Sequence, residues 1–301
     1  MSDNRPVIAV IGATGAQGGA VVRALVNRGT FRVRAVTRNP DGYSGPAEEA
    51  VGADLADPQS LQSAFTGAYG VFAVSSFMGS AIDELTQGRN AVSAAASAGV
   101  RHFVWSTLPN VEVLTGGEFD VPHFTAKAEV DELVRDAGFE YFTFVEAPFY
   151  FENLATVMSP QPLPDGRTGW ALPIPADARV VHAGSIEDLG GVVAGALDHP
   201  ESVGRGAYLS SAAGLMSFQD FADTLGAQGH SIAIVEVPPS VYATFFPGAD
   251  EMAQMMGYWV KHTYLGPHAD EVIAAARAVS TTPSTDFASW AAVHMPAGAL
   301  T

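Results

Sequence analysis

The sequence predicts an α/β fold: a doubly wound parallel sheet of the Rossmann type with a smaller mixed α+β lobe at its C-terminal side. Short runs of β-branched and aromatic residues alternate with helix-like stretches through the first 150 residues, which is typical of β-α-β units. These strand-like runs are apolar throughout, as expected when helices cover both faces of a sheet. A glycine-rich turn follows the first of them.

The elements of this first part follow one another in a regular order. The predicted strands lie at Val7–Ile11, Arg32–Thr37, Glu49–Ala53, Tyr69–Val74, Arg101–Ser106 and Tyr141–Val145. Helices are predicted between them at Ala16–Arg28, Pro58–Phe65, Glu84–Ala98 and His123–Asp136. The order of strands and helices therefore favours parallel pairing with crossover helices.

The alternation ends after Pro148, where six prolines fall within 28 residues. Further helices are predicted at Ser185–Asp198, Ser217–Ala227, Ser240–Phe246, Glu251–His262 and Thr285–His294, with short strands at Ala207–Ser210 and Ile232–Val237. We therefore divide the chain into residues 1–150 and a smaller lobe of residues 151–301, partly interleaved with the first part. The lobe is expected to pack over the carboxyl edge of the sheet, where open α/β folds bind ligands.

Composition and charge argue against several classes of function. The chain has 32 acidic and 15 basic residues, a net charge of −17, and phosphate-backbone binding relies on Lys and Arg. It has no cysteine, which excludes disulfides, thiolate metal sites and a cysteine nucleophile. Its eight histidines lack metal-binding spacing, and no apolar run reaches about 18 residues. We expect a cytoplasmic protein with no metal, no nucleic-acid partner and no membrane partner.

The glycine-rich turn has the spacing of a dinucleotide-binding loop. Gly12 permits a tight strand-to-helix turn, Gly15 lets a pyrophosphate approach the backbone, and Gly18 lets the helix pack closely on the sheet. Unpaired N–H groups at the helix N-terminus then face the phosphates. Thr14 and Gln17 lie in the same turn and are predicted to contact the cofactor. The first part of the chain is therefore predicted to be an NAD(P)-binding domain.

The end of the second strand indicates which dinucleotide is bound. NAD sites usually carry an acid there, about 20 residues beyond the glycines, to accept from the ribose 2′-hydroxyl. Here Arg38 lies 20 residues after Gly18, and a guanidinium suits the 2′-phosphate of NADP(H). The alternative is a solvated arginine in a turn. Asp54 and Leu55 are predicted at the adenine, and Ser75 on the path to the nicotinamide.

Taken together, these motifs resemble the NmrA-like branch of the atypical short-chain dehydrogenase/reductases. The matching stretches are Gly12–Gly19, Val36–Pro40, Thr66–Tyr69, His123–Phe124 with Lys127, Pro148–Leu154, Pro164–Gly166, Glu187–Gly190 and Phe246–Ala249. The resemblance covers most of the chain and is closest to NADP(H)-binding redox sensors of that family. It implies further cofactor contacts from Pro148, Tyr150 and Asn153.

The resemblance also implies three candidate catalytic residues. In the wider superfamily a tyrosine four residues before a lysine protonates the substrate, the lysine holds the nicotinamide ribose, and a serine assists. Lys127 and Ser106 match, but the tyrosine position holds His123. His123 and Lys127 are four residues apart on one predicted helix, so we expect both to point into the cofactor cleft. Either His123 replaces the tyrosine or Lys127 acts alone, and sensor-type relatives also carry histidine there.

Aromatic and thioether side chains after the fourth and sixth strands predict an apolar substrate pocket formed by Phe77, Met78, Phe149 and Phe151. The alternative is that most of them belong to the core. Such a pocket suits a quinone or an aromatic carbonyl compound, reduced by NADPH. The competing hypothesis is a non-catalytic NADP(H) sensor acting through protein contacts. A homodimer or a regulatory protein partner stays open under both hypotheses.

Overall fold

The computed structural model describes residues 4–76 and 82–296. Within these ranges the strands are β1 (Val7–Ile11), β2 (Arg32–Thr37), β3 (Glu49–Gly52), β4 (Gly70–Ala73), β5 (His102–Thr107), β6 (Tyr141–Glu146), β7 (Phe149–Tyr150), β8 (Gln161–Pro162), β9 (Thr168–Leu172), β10 (Val181–Gly184), β11 (Arg205–Leu209), β12 (Gly214–Met216) and β13 (Ala233–Glu236). The helices are α1 (Ala16–Arg28), α2 (Pro58–Phe65), α3 (Glu84–Ser97), α4 (Val111–Thr115), α5 (Pro122–Asp136), α6 (Ile186–Asp198), α7 (Pro200–Val203), α8 (Phe218–Ala227), α9 (Pro239–Tyr242), α10 (Ala249–His262), α11 (Ala269–Val279) and α12 (Phe287–His294).

The large sheet has seven parallel strands in the order β11-β6-β5-β4-β1-β2-β3. The chain runs outward from β1 to β3 and then crosses back to β4, so the strand order reverses between β1 and β4. A crevice at the carboxyl ends of the strands is expected at such a reversal. The predicted doubly wound parallel sheet is thus confirmed.

Both faces of the large sheet are covered, and each strand contributes alternate side chains to the two layers. In β1, Ile8 and Val10 pack into the layer with α1 and α6. Ala9 and Ile11 pack on the other face, with α2, α3 and α5. Because each buried aliphatic side chain stabilises the fold by about 1.5–3 kcal/mol, neither face of β1 tolerates polar residues. This explains the uninterrupted apolar runs in the sequence.

Two segments from the second half of the chain complete the large sheet. β11 pairs with β6 as an edge strand, and α6 packs against α1. Gly190 permits this close helix contact, since a Cβ there would lie 2.5 Å from the Ala20 carbonyl oxygen. The sequence-based assignment of the strand near Ala207 to the smaller lobe was wrong, because its partner β6 is distant in the sequence. Neither part of the molecule is continuous along the chain.

The smaller lobe contains two three-stranded sheets, β12-β10-β7 and β13-β9-β8. Its core is rich in aromatic rings, including Phe149, Phe151, Phe221, Trp259 and Phe287. Strands β7 to β9 are two to five residues long and lie in the proline-rich stretch, and β10 has only four residues, so hydrophobic periodicity did not reveal them. The lobe's architecture depends on contacts between distant segments instead.

Candidate cofactor and active site

A cleft of about 390 Å³ opens at the carboxyl ends of β1 to β4. Its walls are the segments that follow these four strands, the first turn of α1 and one side chain of α3. The structure brings nine of the predicted cofactor-binding residues into this wall: Gly12, Thr14, Gly15, Gln17, Gly18, Arg38, Asp54, Leu55 and Ser75. Four separate loops therefore converge on one site at the reversal of the strand order.

The glycines shape the cleft through their backbone. Gly12 has a φ of +66°, in the left-handed region that favours glycine. A Cβ on Gly18 would lie 2.2 Å from the Gly12 carbonyl oxygen, so only glycine fits there without a backbone shift. Gly15 precedes α1, and within the described chain no side chain caps the first turn of that helix. Its N–H groups are therefore available to an anion such as a pyrophosphate.

Arg38 lies exposed in the cleft wall directly after β2. Arg34 of the same strand pairs with Glu49 at 2.8 Å. Arg38 has no hydrogen-bond or ion-pair partner among residues 4–76 and 82–296. The Asn39 side chain accepts from the Gly42 amide at 3.3 Å and holds the turn that follows. This guanidinium is thus available to a phosphate bound in the cleft.

The loop after β3 forms another part of the cleft wall. The Asp54 amide donates to Ser60 Oγ at 3.1 Å, and Asp54 Oδ1 accepts from the Ala56 amide at 2.9 Å. Asn90 of α3 donates to the Leu55 carbonyl oxygen at 2.8 Å. These contacts position the Asp54 carboxylate at the rim, where it can accept from an exocyclic amine.

Ser106, near the end of β5, reaches the cleft through Gln17. Its hydroxyl donates to Gln17 Oε1 at 2.7 Å, and the serine is 1% exposed. Gln17 itself lines the cleft. The hydrogen bond therefore connects the end of β5 to the first turn of α1.

Lys127 is buried in α5, behind the cleft wall. Its Nζ donates to Ser75 Oγ at 2.7 Å and to the Ser75 carbonyl oxygen at 3.1 Å, and it forms an ion pair with Glu84 of α3. Burial lowers the pKa of Lys127, and the Glu84 carboxylate opposes this decrease. Ser75 lines the cleft, so Lys127 is separated from it by one residue.

His123 faces the smaller lobe. Its Nδ1 pairs with the Glu251 carboxylate of α10, and its amide donates to the same carboxylate at 3.2 Å. Neither His123 nor Lys127 is among the described residues that line the cleft, and their place beside the cofactor stays a prediction. The physical reason is that carboxylates on two different helices, α3 and α10, each hold one of these side chains.

Two of the four predicted substrate-pocket residues lie in the core of the smaller lobe. Phe149 and Phe151 are 3% and 0% exposed, and both contact Phe221. They lie two residues apart around β7, so they point to the same side, into that core. Phe149 and Phe151 are therefore core residues, which was the alternative to their predicted place in a substrate pocket. Phe77 and Met78 lie outside the described residues.

The three residues predicted after β6 lie where the two parts of the molecule meet. Pro148 is buried, and the Asn153 carbonyl oxygen accepts from the Met158 amide at 2.8 Å. Tyr150 packs against both the lobe core and the core under α1 and α6. Its hydroxyl is buried without a partner in the described part of the chain, and burial raises its pKa. None of the three is among the described residues of the cleft wall.

Comparison with known proteins is consistent with this architecture. The model of the NmrA-like family matches residues 4–290. This chain belongs to the NmrA-like family. Among its relatives, FrzB of Cladobotryum sp, an NmrA-like family domain-containing oxidoreductase, is 31% identical over 307 residues, which cover 92% of this chain and 91% of that protein. The predicted family is therefore confirmed.

Solved structures resemble this NmrA-like protein over nearly its whole length. NmrA, a negative transcriptional regulator, in complex with NADP, is 21% identical with a TM-score of 0.78, covering 96% of this chain and 95% of its own. The NADPH-dependent quinone oxidoreductase QOR2 from Escherichia coli, complexed with NADPH, is 21% identical with a TM-score of 0.70, covering 93% and 97%. At these identities the likeness supports the fold.

Two site residues of this NmrA-like protein were missed in the sequence. Glu84 pairs with Lys127 and also accepts from Ser75 Oγ at 2.9 Å. Gln87 accepts from the Ser76 amide at 3.0 Å and donates to the Ser76 carbonyl oxygen at 2.9 Å. Both hold the segment that follows β4. The available signal was a pair of polar residues three apart at the start of an alanine-rich helix.

Two further carboxylates are buried, one on α5 and one at the end of β6. Asp131 accepts from the Tyr208 hydroxyl at 2.8 Å, and burial raises its pKa to about 8. Glu146 ends β6 and accepts from His268 Nε2 at 3.0 Å. Burial raises the pKa of Glu146, and hydrogen bonding to that carboxylate raises the pKa of His268. In the described ranges no three potential ligand residues converge on a metal site, and no helix is long and apolar enough to cross a membrane.

Proposed function

We propose that this NmrA-like protein is an oxidoreductase that uses NADPH to reduce a quinone or an aromatic carbonyl compound. The observation that carries the proposal is the cleft itself, where an uncapped helix N-terminus and an unpartnered arginine line one wall. The relative FrzB is named an oxidoreductase, and QOR2, of similar fold, is named an NADPH-dependent quinone oxidoreductase.

The residues of the cleft fit NADP(H). The backbone at Gly12, Gly15 and Gly18, with the first N–H groups of α1, would hold the pyrophosphate. Arg38 would pair with the 2′-phosphate, because its guanidinium lacks a carboxylate partner in the described structure. Asp54 would accept from the adenine amine. A Cβ at position 18 would collide with the backbone of Gly12 and Ile11, so glycine there keeps the helix close to the strand and its N–H groups in place.

The reaction class follows from the groups near the candidate active site. Bound NADPH supplies a hydride, and its addition to a quinone leaves a hydroquinone anion that water can protonate. A quinone therefore does not require the acid that a ketone would need from the protein. His123 occupies the position of the family tyrosine but pairs with Glu251, which favours a quinone over an aromatic ketone.

A second candidate function is a non-catalytic NADP(H) sensor that acts through protein contacts. The ion pairs of the two candidate catalytic residues favour this function. His123 pairs with Glu251 and Lys127 with Glu84, and neither His123 nor Lys127 belongs to the described cleft wall. NmrA, which has a similar fold, is described as a negative transcriptional regulator. The two candidates share the cofactor and differ in whether it is turned over.

The test is NADPH oxidation, followed by the near-ultraviolet absorbance of the cofactor, with a panel of quinones and aromatic ketones. The proposal expects turnover of at least one quinone and loss of turnover in Lys127→Met. Arg38→Gln should raise the KM for NADPH, whereas Arg32→Gln, earlier on the same strand and outside the cleft wall, is the matched control. If no compound is reduced while NADPH changes the oligomeric state or the capture of a partner, the sensor replaces the reductase.

A further inference from the structure

A second cavity, of about 250 Å³, lies away from the dinucleotide cleft. It is enclosed by α6, the carboxyl end of β11, α11 and the segment 280–284. Ser210 and Ser211 follow β11 directly and line it, together with Asp188 and Arg277. The described walls of the two cavities share no residue, so this cavity is not an extension of the cofactor site.

Close packing of the segment 280–284 on α6 forms one wall of this cavity. A Cβ on Gly191 would lie 2.2 Å from Thr282 Oγ1, and a Cβ on Gly195 would lie 1.8 Å from the Val279 carbonyl oxygen. The Thr281 amide also donates to the Gly191 carbonyl oxygen at 3.1 Å. Two glycines, one helical turn apart, thus let the segment lie directly on the helix backbone.

Two serine hydroxyls in this cavity lack hydrogen-bond partners. Ser210 and Ser211 are 1% and 4% exposed, and neither Oγ bonds any group of the described chain. Buried hydroxyl groups in native proteins nearly always have a partner, which can be protein, ordered water or ligand. Both serines line the same cavity, so a molecule bound there lies next to the two residues that carry these hydroxyls.

The charges around the cavity indicate the class of that molecule. Arg277 contributes one cation and Asp188 one carboxyl, which accepts from the Thr285 amide at 2.8 Å and from its hydroxyl at 2.9 Å. The Glu152 carboxylate adds negative charge near Asp188, whereas the Glu187 carboxylate is paired with Arg23. An anion would meet these acids, and a cation would meet Arg277. The hydroxyl groups of a neutral molecule can donate to Asp188, accept from Arg277, and do either with the two serines.

We propose that this cavity binds a small, neutral, polyhydroxylated molecule, such as a sugar or a polyol, through Ser210 and Ser211. The cavity is smaller than the pockets of about 300–1,000 Å³ that hold drug-sized ligands, so the ligand is of monosaccharide size or less. This proposal is independent of the proposed reductase activity, because the site lies outside the cleft.

The test uses the full chain, titrated with glycerol, D-ribose, D-glucose and myo-inositol, and separately with inorganic phosphate. Binding is measured by calorimetry and located by NMR shifts of the Ser210 and Ser211 amides. We expect saturable binding of at least one polyol, weakened at least tenfold in Ser210→Ala and in Ser211→Ala. Ser63→Ala, on the exposed side of α2, is the matched control and should bind normally.

Three results would overturn the proposal. If no polyol binds, the serine hydroxyls are satisfied by ordered water only. If phosphate binds and the polyols do not, the cavity is an anion site. If a polyol binds with equal affinity to wild type and both serine variants, it binds elsewhere. Thermal melting of each variant verifies that a lost signal does not come from unfolding.

Discussion

The dinucleotide cleft and the surroundings of α5 differ in whether their polar groups have partners within the protein. In the cleft, the first turn of α1 has no side-chain cap and Arg38 has no partner within the described residues. Around α5, Lys127 pairs with Glu84, and His123 pairs with Glu251. Groups left without internal partners are suited to bind a ligand, whereas paired groups hold helices in position. The cleft is therefore suited to bind a ligand, and the ion pairs of α5 hold the helices behind it in place.

The largest effect is expected from breaking the buried ion pair behind the cleft. Glu84→Leu leaves the Lys127 ammonium buried without its carboxylate, which should lower the free energy of unfolding by about 3–5 kcal/mol. Urea unfolding of Glu84→Leu, Lys127→Met and the double variant measures this. The double variant should recover most of the loss. Strictly additive losses would show that the two side chains do not support each other.

A smaller effect is expected from adding a Cβ at Gly18 in the glycine-rich turn. In Gly18→Ala the new Cβ meets backbone atoms of Gly12 and Ile11, which cannot move independently of the sheet. We expect a loss of about 1–3 kcal/mol in the free energy of unfolding, and weaker NADPH binding by about tenfold or more.

Gly19→Ala is the matched control, because a Cβ there would meet the end of the Arg23 side chain at 3.2 Å and the Ala13 carbonyl oxygen at an ordinary contact distance of 3.6 Å. Thermal melting and NADPH fluorescence titration compare the two variants. Equal behaviour of both would contradict the steric role of Gly18.

Arg38→Ala should weaken NADPH binding by about 1–2 kcal/mol, since the lost charge-assisted contact is exposed to solvent. NADH, which has no 2′-phosphate, should bind the variant and the wild type alike. Isothermal titration with both cofactors tests this, and raising the salt concentration should reduce the difference between them. Equal losses for NADH and NADPH would remove Arg38 from the phosphate site.

The stability of the paired region around α5 is also expected to depend on pH. Burial raises the pKa of Asp131 from 3.8 to about 8, so the folded chain keeps this proton where the unfolded chain releases it. Its contribution to stability is present at low pH and is lost as the pH rises towards 8, by no more than about 1.4 kcal/mol per pH unit. Asp131→Asn cannot titrate, so its stability relative to wild type should increase between pH 5 and 7.

Urea unfolding at several pH values measures the Asp131 effect. Asp165→Asn, at an exposed ion pair with Arg167, is the control variant and should not follow the same trend. A constant difference between Asp131→Asn and the wild type would mean that Asp131 is ionised in the folded protein.

The features that the sequence by itself determined each depend on a short segment of the chain. The β1–α1 turn could be predicted because Gly12, Gly15 and Gly18 act through the local backbone of one strand, turn and helix. The position of Arg38 followed from strand length alone. The two covered faces of the sheet were readable as apolar runs, because burial on both sides removes the polar alternation.

Only the tertiary structure decided which distant groups meet. The partners of Lys127 and His123 lie on α3 and α10, and nothing in the spacing of α5 selects these carboxylates. Phe149 and Phe151 are aromatic residues of the kind that can line an apolar pocket, yet they pack in the core of the smaller lobe. β11 pairs with β6 across an intervening lobe. The physical reason is that backbone preferences act over a few residues, whereas buried charges and rings are satisfied by neighbours that chain folding alone brings close.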